Sequence, residues 1–441
     1  MNTISSIFIK NSGKYGLGIV LAKFGGFITL PIYFKYLTIE DFGIISVFQA
    51  ILVFLNPLYS LILCDSVARF YYEWKDEIKK KKISSIFLSS ILFSIILSII
   101  FYFFGKMFVI FFFDIQSYDY IIPLLITTAF FNNLSLIPIV ILKANQEIKK
   151  YNVLVLLTFF INSTISLVLI IIFELGVLGY LYGTLISTLL LGFYYFFYMT
   201  KKFGIYLNFK LLNDSFKFSL PLLPAGIIEN LSNSLDRILL TYIFDLKIVG
   251  IYDLANRIGT IIQAVNQSIK SAWVPLIFDE TTSVNKIKTG PKVYAYLSVY
   301  YVSFMIFICM GIFLFSDLLY FLFDDQKFKE VLIYLPFIIS LYFVQSVSTA
   351  LSRGIDIAKK TSYSILIQIF GILILGVLIL IFAESMSFST FLFIFLVLNI
   401  LKYSYAIYLS YKFYPRPLLF YNYLKLFLIS SLIILLSIFL K

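Results

Sequence analysis

Histidine is missing from all 441 residues. With it go Ser-His-Asp and Cys-His catalysis and the histidine-dependent membrane acyltransferases. Cysteine is nearly missing as well. Cys64 and Cys309 both interrupt apolar segments, a placement that suggests neither a disulfide framework nor a metal cluster, and no cofactor is expected. Charged residues make up only 13% of the chain, about half the share of a soluble domain. Long polar connections are also lacking, the widest being near 65–82, so no soluble domain is expected to carry chemistry outside a membrane. Residues 1–15 show neither the apolar core nor the small-residue cleavage site of a signal peptide, and read as a short amphipathic approach to a first span.

What is present is apolar bulk. Hydrophobic residues reach 61% and the mean hydropathy is +0.97, the composition of a polytopic integral membrane protein. The alternating pattern of a transmembrane barrel is absent, which leaves an all-α architecture. Apolar runs fall near 16–36, 42–64, 83–104, 121–142, 152–173, 177–198, 217–244, 249–276, 293–314, 330–352, 362–382, 388–409 and 419–440, thirteen expected spans. A shorter patch at 106–115 extends the third helix or lies in the interface. Lysine and arginine cluster in alternate loops: Arg69, Lys75 and Lys79 to Lys82; Lys143, Lys149 and Lys150; Lys201, Lys202 and Lys210; Lys286, Lys288 and Lys292; Arg353, Lys359 and Lys360; Lys412 and Arg416. This bias makes those loops and the N-terminus cytoplasmic. It also assigns the net charge of +12 to the membrane surface rather than to nucleic acid.

An internal repeat divides the chain. Leu37 to Ile45 matches Phe244 to Tyr252 at an offset of 207, and Gln146 to Lys150 matches Asp356 to Lys360 at an offset of 210. The expected plan is a six-helix lobe over 1–200, a second in parallel orientation over 201–410, and an additional C-terminal transmembrane helix within 411–441. Duplicated bundles of this kind hold a substrate cavity between the halves.

Two long segments between Phe216 and Phe278 should cross the membrane yet are rich in polar groups. The first carries Glu229, Asn230, Asn233, Asp236 and Arg237. The second carries Asp253, Asn256, Arg257, Thr260, Gln263, Gln267 and Lys270, spaced to share a helix face. Ionisable groups at that depth face a protein interior or a wet cavity. Arg257 and Arg237 suit an anionic ligand, because guanidinium binds such oxygens bidentately. The competing reading is internal neutralisation by Asp253, four residues before Arg257, and by Asp236, beside Arg237. Lys23 lines the cavity or snorkels to the surface, and Lys270 is similar. Glu229, near mid-span, is either a structural partner of Lys23 or a group that binds a coupling proton. Asp236 and Asp253 are further candidates for ion coupling.

Several of these positions carry a family resemblance. Glu40-Asp41-Phe42-Gly43 resembles the first outer turn of polysaccharide and O-antigen exporters. Val249-Gly250-Ile251-Tyr252, followed by Leu254 to Arg257, resembles the equivalent later turn, and Asp236 to Leu240 is similar to a recurrent motif of the group. The resemblance implies a lipid-linked oligosaccharide flippase of the multidrug/oligosaccharidyl-lipid/polysaccharide (MOP) exporter superfamily. Its implied substrate is a sugar repeat unit on undecaprenyl diphosphate, moved from the inner to the outer leaflet of the bacterial inner membrane between two six-helix lobes. Implied partners are a coupling ion, H+ or Na+, and a polysaccharide polymerase; membrane lipids are expected independently, because the paired lysines Lys149-Lys150 and Lys359-Lys360 touch anionic headgroups. A lipid II flippase and a multidrug or cation exporter are the alternative readings. A membrane polymerase lacks its outer loop and catalytic constellation here.

Overall fold

A chain this apolar must satisfy its backbone polar groups within each segment, which in lipid means helices. The computed structural model describes residues 2–113, 120–282, 290–314, 326–358, 360, 362–382 and 386–417. Among them there is no strand. The helices are α1 (Asn2–Tyr36), α2 (Ile39–Ser60), α3 (Leu63–Phe70), α4 (Asp76–Phe113), α5 (Ile121–Ala144), α6 (Ile148–Ile171) and α7 (Gly176–Phe203). They continue with α8 (Asn213–Ile243), α9 (Leu246–Thr282), α10 (Gly290–Leu314), α11 (Gln326–Leu351), the short α12 (Gly354–Ile357), α13 (Ser362–Phe382) and α14 (Phe388–Phe413). Eight helices among the described residues are long and apolar enough to cross a membrane. The chain is thus an all-α, multi-pass membrane protein. The expected thirteenth span at 419–440 lies outside the described residues, as does the patch at 106–115 beyond Phe113.

Two compact units emerge, residues 32–250 and residues 1–31 with 251–441. The first helix of each repeat, α1 up to Pro31 and α8, groups with the other repeat's helices. The reason is visible in α8, whose contacts run to α2, α3 and α4. Phe218 packs edge-on against Phe70, and Phe216 against Phe93.

The paired turns of the repeat form matching helix starts in the 32–250 unit. Thr38 caps α2 by accepting from the Asp41 amide, and Asp41 accepts from the Thr38 amide in return, a capping box. Asp245 caps α9 by accepting from the Ile248 amide at 2.9 Å. The two helix starts then cross at glycines. A methyl on Gly43 would sit 2.2 Å from the Leu246 carbonyl oxygen, and one on Gly250 would sit 1.9 Å from that of Ile39. Gly43 and Gly250 are related by the offset of 207, as are Ile39 and Leu246. Each copy therefore presents to the other the surface it receives, the signature of a local two-fold axis.

The expected span 42–64 is shorter than its apolar run. α2 stops at Ser60 because Leu61 and Ile62 take left-handed backbone, φ 46° and 54°, a conformation disfavoured for a β-branched residue. Surroundings hold it there. The Ser60 hydroxyl accepts from the Ile62 amide, the Ser219 hydroxyl of α8 donates to the Ile62 carbonyl at 3.0 Å, and Gly226 leaves room for the Ile62 side chain.

In the 251–441 unit, α14 packs on α11 and α13, and its end is stitched by Arg416. That guanidinium, buried to 8% exposure, lies between the rings of Tyr294 and Tyr411 at 4.1 and 3.9 Å. It also donates to Ser410 Oγ and to the Leu351 carbonyl. Carbonyl and ring contacts here hold a buried cation that sequence reading placed in a cytoplasmic loop.

Candidate transport site

α9 is amphipathic in an unusual sense: both faces are largely buried, one apolar and one polar. Leu254, Ala255, Ile258 and Ile262 form the apolar face, and Gly259 admits the Tyr342 ring of α11, which would meet a Cβ there at 2.2 Å. The polar stripe opens progressively along the helix. Asp253 and Asn256 are buried, Arg257, Thr260, Gln263 and Lys270 are half-buried, and Gln267 is exposed.

Arg257 Nε donates to Asp253 Oδ2 at 2.7 Å, and Thr260 Oγ1 donates to the Arg257 carbonyl at 2.7 Å. The ion pair that was the competing reading of Arg257 is therefore formed. It does not bury the cation: the Asp253 side chain is 8% exposed and that of Arg257 27%. A carboxylate at the closed end of the stripe orients a guanidinium that stays accessible. Asn256, one residue before, is 5% exposed and its amide nitrogen finds no acceptor among the described residues, so the stripe holds an unused donor. Tyr301 of α10 donates to the Asn266 backbone carbonyl at 3.2 Å and to its side-chain oxygen, tying the stripe's far flank to a neighbouring helix.

On α8, in the other unit, Glu229 is exposed and Asp236 and Arg237 are half-buried. Thr241 donates to the Arg237 and Ile238 carbonyls. The Asn233 side chain lies outside the described set. Pro221 and Pro224 fall inside α8 and remove two amide donors from its first half. Lys23 of α1, beside Gly25 and Gly26, is exposed.

One group escaped the sequence reading. Lys402 is the only charged residue in the apolar run 388–409, and that isolation was the available signal. It sits on the packed side of α14, where Gly371 of α13 leaves space for its stem: a Cβ on Gly371 would lie 2.9 Å from Lys402 Cδ. Its ammonium lies 4.9 Å from the Tyr403 ring centroid, and no carboxylate partner is found among the described residues. Amides inside the spans of the 32–250 unit were also missed. Asn132 donates to Asn56 at 3.1 Å, and Asn162 donates to Thr184 and Ser187 at 3.3 and 3.1 Å. Their polar partners lie on other helices, which sequence order hides.

Comparison with known proteins bears on this arrangement. A family model described as polysaccharide biosynthesis protein matches residues 8–280. No curated protein matches. Among solved structures, the lipid II flippase MurJ in an inward closed conformation superposes with a TM-score of 0.70 at 18% identity, over 99% of this chain and 92% of that one. An inward-facing multidrug resistance MATE family transporter of the MOP superfamily gives 0.63 at 15% identity, over 92% and 94%. A mutant of the Vibrio cholerae MATE transporter VcmN gives 0.61 at 14% identity, over 93% and 97%. The family match spans more than half of the chain and the fold match nearly all of it; the chain belongs to the polysaccharide biosynthesis protein family and has the fold of the MOP-superfamily flippases and exporters.

Proposed function

We propose that this transporter moves an undecaprenyl-diphosphate-linked oligosaccharide repeat unit, of O-antigen or capsule type, from the inner to the outer leaflet of the bacterial inner membrane by alternating access. The two repeats, 1–200 and 201–410, act as its lobes, with the C-terminal helix beyond them. The observation that carries this reading is the α9 stripe, in which Arg257 is oriented by Asp253 yet remains accessible, within a family defined by polysaccharide biosynthesis. Guanidinium recognises phosphate or acidic sugar oxygens bidentately, and Arg237, Lys23 and Lys270 are the further cations proposed to engage the substrate. Asn233, Asn256, Thr260, Gln263 and Gln267 supply neutral hydrogen-bonding groups for sugars. Glu229, exposed on α8, is the group proposed to bind a coupling H+ or Na+, with Asp236 and Asp253 as further candidates. A polysaccharide polymerase is the proposed downstream partner.

The test is restoration of surface polysaccharide in a flippase-null strain, with membrane abundance measured in parallel. Arg257→Lys should give partial activity at near-normal abundance, and Arg257→Ala almost none per molecule in the membrane, since it also strands the buried Asp253 carboxylate and lowers abundance. If Arg257 serves only to neutralise Asp253, the loss of activity should merely track the loss of abundance. Rescue by Arg257→Ala combined with Asp253→Ala would then sink the substrate role. A second reading, lipid II transport, is favoured by the MurJ superposition over 99% of this chain. Growth of a strain depleted of its own lipid II flippase separates the two.

A further inference from the structure

The groove between α6 and α7 has a built polarity and lies outside the proposed substrate residues. It encloses about 450 Å³ on the 32–250 unit. Lys149 and Lys150 stand at one end, and Leu154, Ile161 and Leu191 line the rest, with Tyr194 along the wall. The depth of this groove matches one leaflet. From Lys150 to Ile161 the α6 helix rises about 16 Å, roughly half of the ~30 Å hydrocarbon core.

The charge at the lysine end is unbalanced. Glu147 is the carboxylate there, and it is already engaged by Lys150 at 2.6 Å and by Lys202 at 3.4 Å. Lys149 is exposed and forms no ion pair among the described residues. A second groove in the same unit, between α4 and α5, sharpens the contrast. Its lining includes Ile95, Ile99, Phe103 and Phe130, and it holds no charged residue. Both grooves can take a hydrocarbon chain. The α6–α7 groove alone of the two places cations where a phosphate would sit.

We propose that the α6–α7 groove is a binding site for one anionic glycerophospholipid, with its phosphate on Lys149 and Lys150 and an acyl chain along Leu154, Ile161 and Leu191. Cationic side chains at the membrane surface attract anionic headgroups without fixing any one molecule. The groove adds the fixing element, an apolar channel that starts at those cations and ends at mid-bilayer depth.

Native mass spectrometry of the purified full-length protein tests the assignment, after equilibration with vesicles of phosphatidylcholine containing phosphatidylglycerol. The expected result is one retained phosphatidylglycerol, with retention falling about fivefold for each lysine removed in Lys149→Ala and Lys150→Ala. Lys149→Arg with Lys150→Arg should keep it, which guards against a variant that merely misfolds. Leu154→Trp should expel the lipid by filling the groove with both lysines intact, whereas Ile99→Trp in the uncharged groove should not. Four results would overturn the proposal: equal retention of phosphatidylcholine; unchanged retention in the double alanine variant; loss on lysine removal but indifference to Leu154→Trp; or displacement by excess inorganic phosphate. The last two reduce the site to a surface cation pair.

Discussion

At the scale of single residues, the membrane interior makes each charge an argument about its surroundings. Lys402 has a ring and a glycine notch near it but no carboxylate partner among the described residues. Replacing a half-buried charge that has no carboxylate partner with an apolar group of similar length relieves a desolvation penalty. Lys402→Met should therefore leave membrane abundance at least at the parent level, and lower transport if the cation serves the substrate path. A steep loss of abundance would show that the ammonium is structurally paired. Glu229 poses the converse case. Being exposed, it contributes little to packing, so Glu229→Gln should insert and fold normally while abolishing gradient-driven transport. Unaltered transport with an unaltered pH response would remove it from coupling. Outside the spans, Glu147 is held below the usual carboxylate range, first by its hydrogen bond from Lys150, with Asn145 and Lys202 adding to the effect. A depressed folded-state pKa contributes stability above the unfolded value of about 4.3 and loses it as pH falls through the lower, folded value. Hydrogen exchange in the 145–151 segment should accelerate only in that acid window, and Glu147→Gln should remove the dependence.

At the scale of elements, the crossing of α2 and α9 is the contact least tolerant of change. A Cβ at Gly43 or Gly250 would strike a backbone carbonyl rather than a mobile side-chain end, so the helices must separate. Overpacking of this kind costs about 1–3 kcal/mol. Gly43→Ala and Gly250→Ala should each lower thermal stability, measured as the melting temperature of the detergent-purified protein. The double variant should cost less than the sum of the two, because either methyl already opens the same crossing. Full additivity would mean that the two contacts are independent. The corner at Leu61 and Ile62 depends on α8 in a similar way. Ser219→Ala removes one hydrogen bond worth about 1 kcal/mol and should loosen that corner first.

At the scale of the whole molecule, orientation is the property to measure. The lysine-rich loops and the N-terminus should be cytoplasmic. In a variant whose Cys64 and Cys309 are replaced, a cysteine at Ser117 or Asp245 should react with an impermeant thiol reagent in intact cells. One at Ser283 or Lys360 should not, and labelling there would reverse the topology. Lys441 should be outside if thirteen spans are present. Ser117, Ser283 and Lys441 lie outside the described residues.

Composition alone determined the class of this protein, since a mean hydropathy of +0.97 leaves no soluble alternative, and helices follow from backbone satisfaction in lipid. The helix order and the polar stripe on α9 were legible for the same reason: both are periodic along one chain. The repeat was legible at its glycines, because a close crossing tolerates no side chain at Gly43 or Gly250. Tertiary structure decided the rest. Nothing in a linear pattern distinguishes an Arg257 that meets Asp253 from one that does not; the 2.7 Å pair and its unequal exposure depend on which helices cover each side chain. The break after Ser60 was illegible because Leu61 and Ile62 are ordinary span residues whose left-handed backbone is held by Ser219, 157 positions away. The grouping of α8 with α2 to α4 was hidden likewise, since packing partners are chosen by shape and hydrogen bonding across space, and the repeat records only ancestry along the chain.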